Sequence, residues 1–406
     1  MPLPRPHPLA RAQLVDRLNA ALDNSWRRGW LSEPTLDPGE LWDKAARGFA
    51  EEDELGGRSE EDALDFRQRL DALSAALRDE AQLNPLGRTM AHGQMVRAIR
   101  QRLALGRMWR DRPELLRTPL APPILVVGQM RAGTTRLHRL LAADPAHAAT
   151  RFCDSWHPVP SRFDTRPILS GFALFMARRI DPWIDTLHPF GAARHDEELG
   201  WLASALDHST YEAQWRIPSY VALGESRDPS PVWREFARIL RTDAAHRRNG
   251  HLPRVMKVPQ FSEQLDPLLA QFPGARVVLA ERADAAVIRS SASLVANQMT
   301  IQSDDCDMGW IEAEWTRKIA LRHSRTEAAL RKFAGKVATA DFDRLSADWS
   351  ASITDIYRQL GMDHSEAAQT AMTREMRLAA NSPHVGHAAQ LDSFAKDLGR
   401  AAAKRA

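Results

Sequence analysis

The stretch Ile124-Leu-Val-Val-Gly-Gln-Met-Arg-Ala-Gly-Thr-Thr135 decides the fold of this chain. Its first four residues form a short apolar run rich in β-branched side chains, which is typical of a buried parallel strand. Gly128 and Gly133 follow that run, and a helical pattern of apolar residues begins at Thr134. This order of strand, glycine loop and helix is that of a P-loop, in which backbone N–H groups surround a phosphate.

The position of the cation in this loop is unusual. A nucleoside triphosphatase places a lysine directly after the second glycine, whereas here Thr134 stands at that position. The cation, Arg131, comes before Gly133 instead. This arrangement favours a phosphate-type anion other than a magnesium-bound triphosphate. A tight strand–helix turn without a ligand is the alternative, although such a turn requires neither the arginine nor two threonines.

Further strand patterns follow the loop, and helical patterns separate them. Strands are predicted at 255–258, 276–280 and 337–342, and helices at 134–143, 283–296 and 350–360. Residues 150–250 contain mostly helix and proline-rich loop. Strands that alternate with helices predict an α/β fold with a mainly parallel sheet flanked by helices.

The N-terminal part of the chain shows helical patterns only. Apolar residues recur at helical spacing in 14–26, 64–77 and 95–108, and charged residues occupy the opposite faces. We therefore divide the chain into a helical N-terminal region, residues 1–118, and a P-loop-type α/β domain, residues 119–406.

Composition excludes several classes of protein. The 406 residues include 55 Lys+Arg and 52 Asp+Glu, and without a basic block this balance argues against a nucleic-acid partner. Apolar stretches fall short of the roughly 20 residues that a membrane span needs. Cys153 and Cys306 form neither a metal-ligand spacing nor a disulfide framework, and the first residues lack an export signal. We expect a cytoplasmic protein.

Residues 127–145 resemble the phosphosulfate loop of bacterial sulfotransferases that use PAPS, 3′-phosphoadenosine 5′-phosphosulfate. In that family the loop reads roughly Gly-Leu-Pro-Arg-Ser-Gly-Thr-Thr, and an apolar helix that ends in Asp-Pro follows it. The matching positions are Arg131, Gly133, Thr134 and Thr135. The positions that differ are Gln129, Met130 and Ala132.

Two further blocks extend the resemblance to about residues 80–395. Residues 255–259 resemble the family's Leu-Lys-x-Pro strand end and contain Lys257. Residues 272–282 resemble the family's segment that leads into its His-Arg-Asp-Pro motif. In the family, a serine lies eight residues after the arginine of this motif. Arg282 and Ser290 have the same spacing in this chain. Ser293 matches a further family serine, whereas residues 281 and 283–285 differ from the motif.

The resemblance implies a P-loop sulfotransferase that moves a sulfuryl group from PAPS to a hydroxyl or amine of a small-molecule acceptor, releases PAP and needs no metal. Residues 150–250 would be a helical insertion at the acceptor site. The 5′-phosphosulfate would be held by Gly128, Arg131, Ala132, Gly133, Thr134 and Thr135, and the 3′-phosphate by Arg282, Ser290 and Ser293. Lys257 would stabilise the leaving group, unless it is an ordinary exposed lysine at a strand end.

The acceptor must lose a proton, and four residues are candidates for the general base. Asp154 aligns with a family glutamate that follows the first helix. Glu197, Glu198 and His188 lie in a segment that resembles a His-Pro…Glu-Glu block of the family. A P-loop kinase or NTPase, and a degenerate nucleotide-binding module without catalysis, are the alternative functions. A homodimer stays open as the oligomeric state.

Overall fold

A five-stranded parallel sheet forms the centre of the computed structural model, which describes residues 5–380 and Phe394. The strands are β1 (Ile124–Gly128), β2 (Ala148–Ala149), β3 (Arg254–Lys257), β4 (Arg276–Glu281) and β5 (Val337–Asp341). Their order across the sheet is β2-β3-β1-β4-β5, and every neighbouring pair is parallel. The predicted α/β fold with a mainly parallel sheet is confirmed.

Nineteen α-helices and two short 3₁₀ helices (Pro113–Arg117 and Pro259–Ser262) accompany the sheet within the described residues. The α-helices are, in chain order, α1 (Gln13–Arg27), α2 (Pro38–Ala46), α3 (Glu52–Leu55), α4 (Glu60–Asp79), α5 (Pro85–Asp111), α6 (Thr134–Ala143), α7 (Phe152–Trp156), α8 (Arg166–Ile180), α9 (Ile184–Leu187), α10 (Leu199–Ser204), α11 (His208–Tyr211), α12 (Pro218–Ser226), α13 (Ser230–Arg247), α14 (Leu265–Gln271), α15 (Asp284–Gln302), α16 (Met308–Lys332), α17 (Phe342–Ala347), α18 (Trp349–Leu360) and α19 (Glu366–Ala380).

Alternate side chains of the strands pack against helices on the two faces of the sheet. Leu125 and Val127 of β1 point to one face, where α5, α10, α13, α14 and α16 cover them. Ile124 and Val126 point to the other face, which α6, α17, α18 and α19 cover. Because both faces are covered, β1 is an unbroken apolar run rather than an alternating one. The two-residue strand β2 lacks such a run and was not predicted.

The N-terminal helices share a core with the segment between β2 and β3. Phe66 of α4 and Ile99 of α5 belong to the same buried cluster as Tyr211 of α11 and Tyr220 of α12. Trp215, between α11 and α12, is part of this cluster as well. This packing places the N-terminal region beside the helical segment 150–250. Among the described residues, no helix is long and apolar enough to cross a membrane.

The strand order determines where a ligand can bind. From β1 the chain crosses to β2 and β3 on one side, and then to β4 and β5 on the other. The connections therefore leave a crevice at the carboxyl end of β1, where open α/β sheets bind their ligands. The glycine loop follows β1 at this edge, and Lys257 is the last residue of the neighbouring strand β3.

Candidate active site

The glycine loop turns sharply between β1 and α6. Gly133 precedes the first residue of α6 with φ +83°, and Arg131 also has a left-handed backbone, with φ 71°. A Cβ atom on Gly133 would lie 2.7 Å from the ring of Phe342. Both the conformation and the close approach therefore require glycine here. The turn places the first N–H groups of the ten-residue helix α6 beside the loop, as an anion site requires.

Two arginines meet at this loop. Nε of Arg131 donates to Oγ of Ser290 at 2.9 Å, and Nη1 of Arg282 donates to the backbone oxygen of Arg131 at 2.7 Å. The Arg282 guanidinium lies 4.0 Å from the centre of the Phe342 ring. Burial, and then the like charge of Arg282, lower the pKa of Arg131 to about 10, so the guanidinium is still charged at neutral pH. An anion between the two arginines would relieve their repulsion.

Lys257 is buried, with a side chain 1% exposed, and not an ordinary exposed lysine at a strand end. Its Nζ donates to Oγ1 of Thr135 at 3.1 Å and forms an ion pair with the carboxylate of Glu197. The lysine thus joins the end of β3 to the start of α6 and to the segment before α10. A cation in this position faces the same crevice as the glycine loop.

His188 and Asp196 form a pair beside these groups. Nε2 of His188 lies 2.9 and 3.1 Å from the two carboxylate oxygens of Asp196. Burial alone would raise the pKa of Asp196, but His188 and the nearby Arg139 guanidinium hold it well below its usual range. The ionised carboxylate accepts a hydrogen bond from the histidine ring and fixes its orientation.

These groups line one cavity of about 700 Å³. Of the predicted site residues, those that line it are Arg131, Gly133, Thr134, Thr135, His188, Glu197, Lys257, Arg282 and Ser290. Apolar side chains cover other parts of the wall, among them Phe152, Trp156, Ile180, Leu187, Phe190 and Leu294. A cavity with charged groups on one part and an apolar wall on another suits two ligands bound together, one anionic and one apolar.

Asp154 is not among the lining residues. It is buried, and three guanidinium groups surround its carboxylate: those of Arg151 at 2.8 Å, Arg247 at 2.9 Å and Arg166 at 3.1 Å. Burial opposes ionisation, but these arginines together lower the pKa of Asp154. A carboxylate held in this way is the centre of an ion-pair network and poorly suited to accept a proton.

Glu198 is also buried away from the cavity lining. Its Oε2 accepts the backbone N–H of Lys257 at 3.0 Å, so the side chain ties the segment before α10 to the end of β3. Burial raises the pKa of Glu198 to about 8. The carboxyl group is therefore mostly protonated at neutral pH.

Three of the predicted cofactor-binding residues, Gly128, Ala132 and Ser293, are not among the residues that line the cavity. The N–H of Gly128 donates to Oγ of Ser262 at 3.1 Å, and Ala132 packs against Val287. Oγ of Ser293 accepts from Nη2 of Arg5 at 2.6 Å. These residues support the loop and α15 from within the protein.

Several lining residues were missed from the sequence. Asp196 and Arg289 are direct neighbours of predicted residues along the chain, and that adjacency was the available signal. Arg139 lies one helical turn after Thr135 and also lines the cavity. Phe342 is distant in sequence from the glycine loop and contacts it only in the folded protein. It directly follows β5, which lies in the same sheet as β1.

Within the part of the chain that the structure describes, two clusters contain ligand types that could hold a metal ion. Each set has ligand atoms within 4.8 Å of one another: His188, Asp196 and Glu197 in the cavity, and His208, Glu212 and Glu263 in the interior. Lys257 already pairs with Glu197, and Lys318 and Arg322 pair with the interior carboxylates. These ammonium and guanidinium groups supply the positive charge that a metal would otherwise bring.

Known proteins resemble this chain in sequence and structure. A family model described as "Sulfotransferase family" matches residues 122–366. The crystal structure of sulfotransferase STF1 from Mycobacterium tuberculosis H37Rv is 26% identical, with a TM-score of 0.74 over 88% of this chain and 98% of that one. Sulfotransferase STF9 from Mycobacterium avium shares the fold at 18% identity, with a TM-score of 0.74 over 91% and 97% of the two chains. A comparison with curated proteins found no match.

Proposed function

The chain belongs to the sulfotransferase family, and from this premise we propose that it transfers a sulfuryl group from PAPS to a hydroxyl or amine of a small-molecule acceptor. One observation carries the proposal: Arg131, Lys257 and Arg282, which come from three separate elements, line a single cavity at the N-terminus of α6. Transfer of this group needs positioned cations and N–H donors where charge develops, and little else from the protein.

We assign the two ends of PAPS to two sides of the loop. The N–H groups at the start of α6, the hydroxyls of Thr134 and Thr135, and Arg131 would hold the 5′-phosphosulfate. Arg282, just before α15, and Ser290, in the second turn of that helix, would hold the 3′-phosphate. Ser290 already accepts a hydrogen bond from Arg131, so the two halves of the donor site are joined before PAPS binds.

The reaction breaks the bond between sulfur and the oxygen that bridges to the 5′-phosphate, and its electron pair stays on that oxygen as PAP leaves. The acceptor oxygen or nitrogen forms the new bond to sulfur on the opposite side. Lys257 would donate to the bridging oxygen, because its Nζ already lies beside Thr135 at the start of the phosphate-binding helix. To do so it must exchange its pairing with Glu197 for one with PAPS.

We assign the acceptor's proton to His188. It lines the cavity, and Asp196 holds its Nε2, which leaves the other ring nitrogen of the neutral side chain as the acceptor. Glu197 would keep the Lys257 ammonium in place until PAPS binds. Helices of the segment 150–250 supply much of the apolar wall, so we place the acceptor there.

Ligand-dependent melting tests the donor assignment. PAP binds only the native state in this proposal and should raise the melting temperature, whereas ATP with Mg²⁺ should raise it far less. Stabilisation by ATP–Mg²⁺ alone would instead favour a kinase or NTPase. Arg131→Ala and Ser290→Ala should each weaken PAP binding by about tenfold or more, since each removes a hydrogen bond to a charged group. Arg78→Ala, an exposed arginine of α4, is the matched control.

An acceptor screen with PAPS tests the transfer itself. His188→Asn should lower kcat by about 10²- to 10⁴-fold and retain PAP binding. A larger loss in Glu197→Gln than in His188→Asn would move the proton acceptor to Glu197. PAP binding without transfer to any hydroxyl or amine would identify the degenerate binding module.

A further inference from the structure

Helix α8 forms part of the cavity wall and is exposed on its other side. Ala177 and Ile180 lie on its inner side and line the cavity. Leu174 on the same helix is buried. One face of α8 is therefore part of the apolar wall behind the proposed acceptor position.

The outer side of α8 is apolar as well. Its large side chains are between 43% and 73% exposed: Ile168, Leu169, Phe172, Phe175 and Met176. Phe163, just before the helix, is 77% exposed. We call these six residues the α8 apolar face. A surface of this kind on a protein marks a binding site, because single exposed apolar residues are common but clusters on one helix face are not.

The charge around the α8 apolar face is positive. Helix α8 contains three arginines and no acidic residue. Arg162 and Arg179 lie over the rings of Phe163 and Phe175, at 5.7 and 5.3 Å from the ring centres. The acidic side chains nearest to α8 along the chain are already paired or buried. Asp164 pairs with Arg151 and Arg166, and Asp185 pairs with Arg178. Asp181, which directly follows the helix, is buried and accepts a hydrogen bond from Nδ2 of Asn297.

We propose that the α8 apolar face docks the protein on an anionic lipid surface. A helix with exposed aromatic and aliphatic side chains beside arginines can lie in the plane of a bilayer surface, with the apolar side chains below the headgroups. Arg162 and Arg179 would then meet anionic headgroups. Pairing with a second copy fits less well, because the face itself offers no carboxylate to these two arginines. The proposal does not depend on the sulfotransferase activity.

Vesicle flotation of the full chain tests this docking. The protein should bind vesicles of phosphatidylglycerol with phosphatidylcholine, bind much less to phosphatidylcholine alone, and dissociate in high salt. Phe172→Glu with Phe175→Glu should lower the partition coefficient at least tenfold. Arg162→Gln with Arg179→Gln should lower it by about fivefold per arginine on the anionic vesicles only.

Matched measurements make the test decisive. Leu64→Glu changes an equally exposed leucine of α4 and should leave vesicle binding unchanged. The α8 variants should keep the wild-type melting temperature and its rise with PAP, since the changed side chains are exposed. Absence of binding to anionic vesicles, or equal binding by wild type and the phenylalanine double variant, overturns the proposal. The proposal is also overturned if sedimentation velocity shows that the wild type is a dimer, that the phenylalanine double variant is a monomer, and that neither binds vesicles.

Discussion

Glu198 makes the stability of this protein depend on pH in a direction opposite to that of an ion-paired carboxylate. The side chain is fully buried, and burial raises its pKa from the ordinary 4.5 to about 8. Below pH 4.5 the carboxyl group is neutral in both the folded and the unfolded chain. As the pH rises above 4.5, the unfolded chain releases this proton first, so the free energy of unfolding falls until the folded protein also ionises near pH 8.

The size of the effect follows from the difference of about 3.5 pH units between the two pKa values. At about 1.4 kcal/mol per unit, ionisation of Glu198 removes about 5 kcal/mol of stability between pH 4.5 and 8. Such a loss is a large part of the stability of a typical domain. Glu198→Gln keeps an oxygen for the backbone N–H of Lys257 and cannot ionise, so it should escape this loss.

Urea denaturation followed by tryptophan fluorescence measures the effect from about pH 5 to about pH 8.5. The measured quantity is the difference in free energy of unfolding between Glu198→Gln and wild type. This difference should increase by about 1.4 kcal/mol per pH unit and reach about 4–5 kcal/mol at the highest pH. Contributions of other titrating groups cancel in this difference. A difference that does not change with pH would refute the reasoning.

Glu235→Gln is the matched control, because Glu235 is equally buried but surrounded by arginines. Burial opposes its ionisation, yet Arg58 and Arg102 lower its pKa to about 2. Its stabilising charge is therefore fully present above about pH 4.5 and is lost only as the pH falls toward 2. Glu235→Gln should destabilise the protein by a constant amount over the range in which the Glu198→Gln difference grows.

Three further predictions concern the site and its support. Lys257→Ala should lower kcat with saturating PAPS by about 10²- to 10³-fold, as expected for a group that stabilises transition-state charge, and an unchanged kcat would remove the lysine from the reaction. Gly133→Ala should destabilise the fold by about 1–3 kcal/mol in urea denaturation and abolish the PAP-induced rise in melting temperature. The new Cβ would collide with the Phe342 ring, and alanine is strained at this positive φ. Full PAP binding by the variant would contradict this prediction. Asp154→Asn should lower the free energy of unfolding by about 3–5 kcal/mol, because it leaves three buried or half-buried arginines without their carboxylate. If the variant folds normally and its kcat falls more than a hundredfold, Asp154 is the general base instead.

Local sequence was sufficient for the elements that carry the proposed donor site. An apolar run followed by two glycines specifies a strand and a left-handed turn, because few other residues tolerate such a backbone. The boundaries of α6 were predicted to the residue, and β1, β3, β4 and β5 within about one residue, since strand and helix periodicity depend only on neighbouring residues. The mainly parallel sheet followed from the alternation of predicted strands and helices.

Local sequence could not choose among Asp154, Glu197, Glu198 and His188, because burial and charge partners decide what a carboxylate or imidazole can do. The fold surrounds Asp154 with arginines, removes Glu198 from water, and brings His188 to Asp196 at the cavity.

The sequence by itself thus determined the α/β fold, the glycine loop and the residue types of the proposed anion site. Only the tertiary structure decided which of them meet. The crossovers between β1, β3 and β4 bring Arg131, Lys257 and Arg282 into one cavity, although more than a hundred residues separate the first two. The physical reason is that backbone conformation depends on adjacent residues, whereas the electrostatic environment of a side chain depends on everything folded around it.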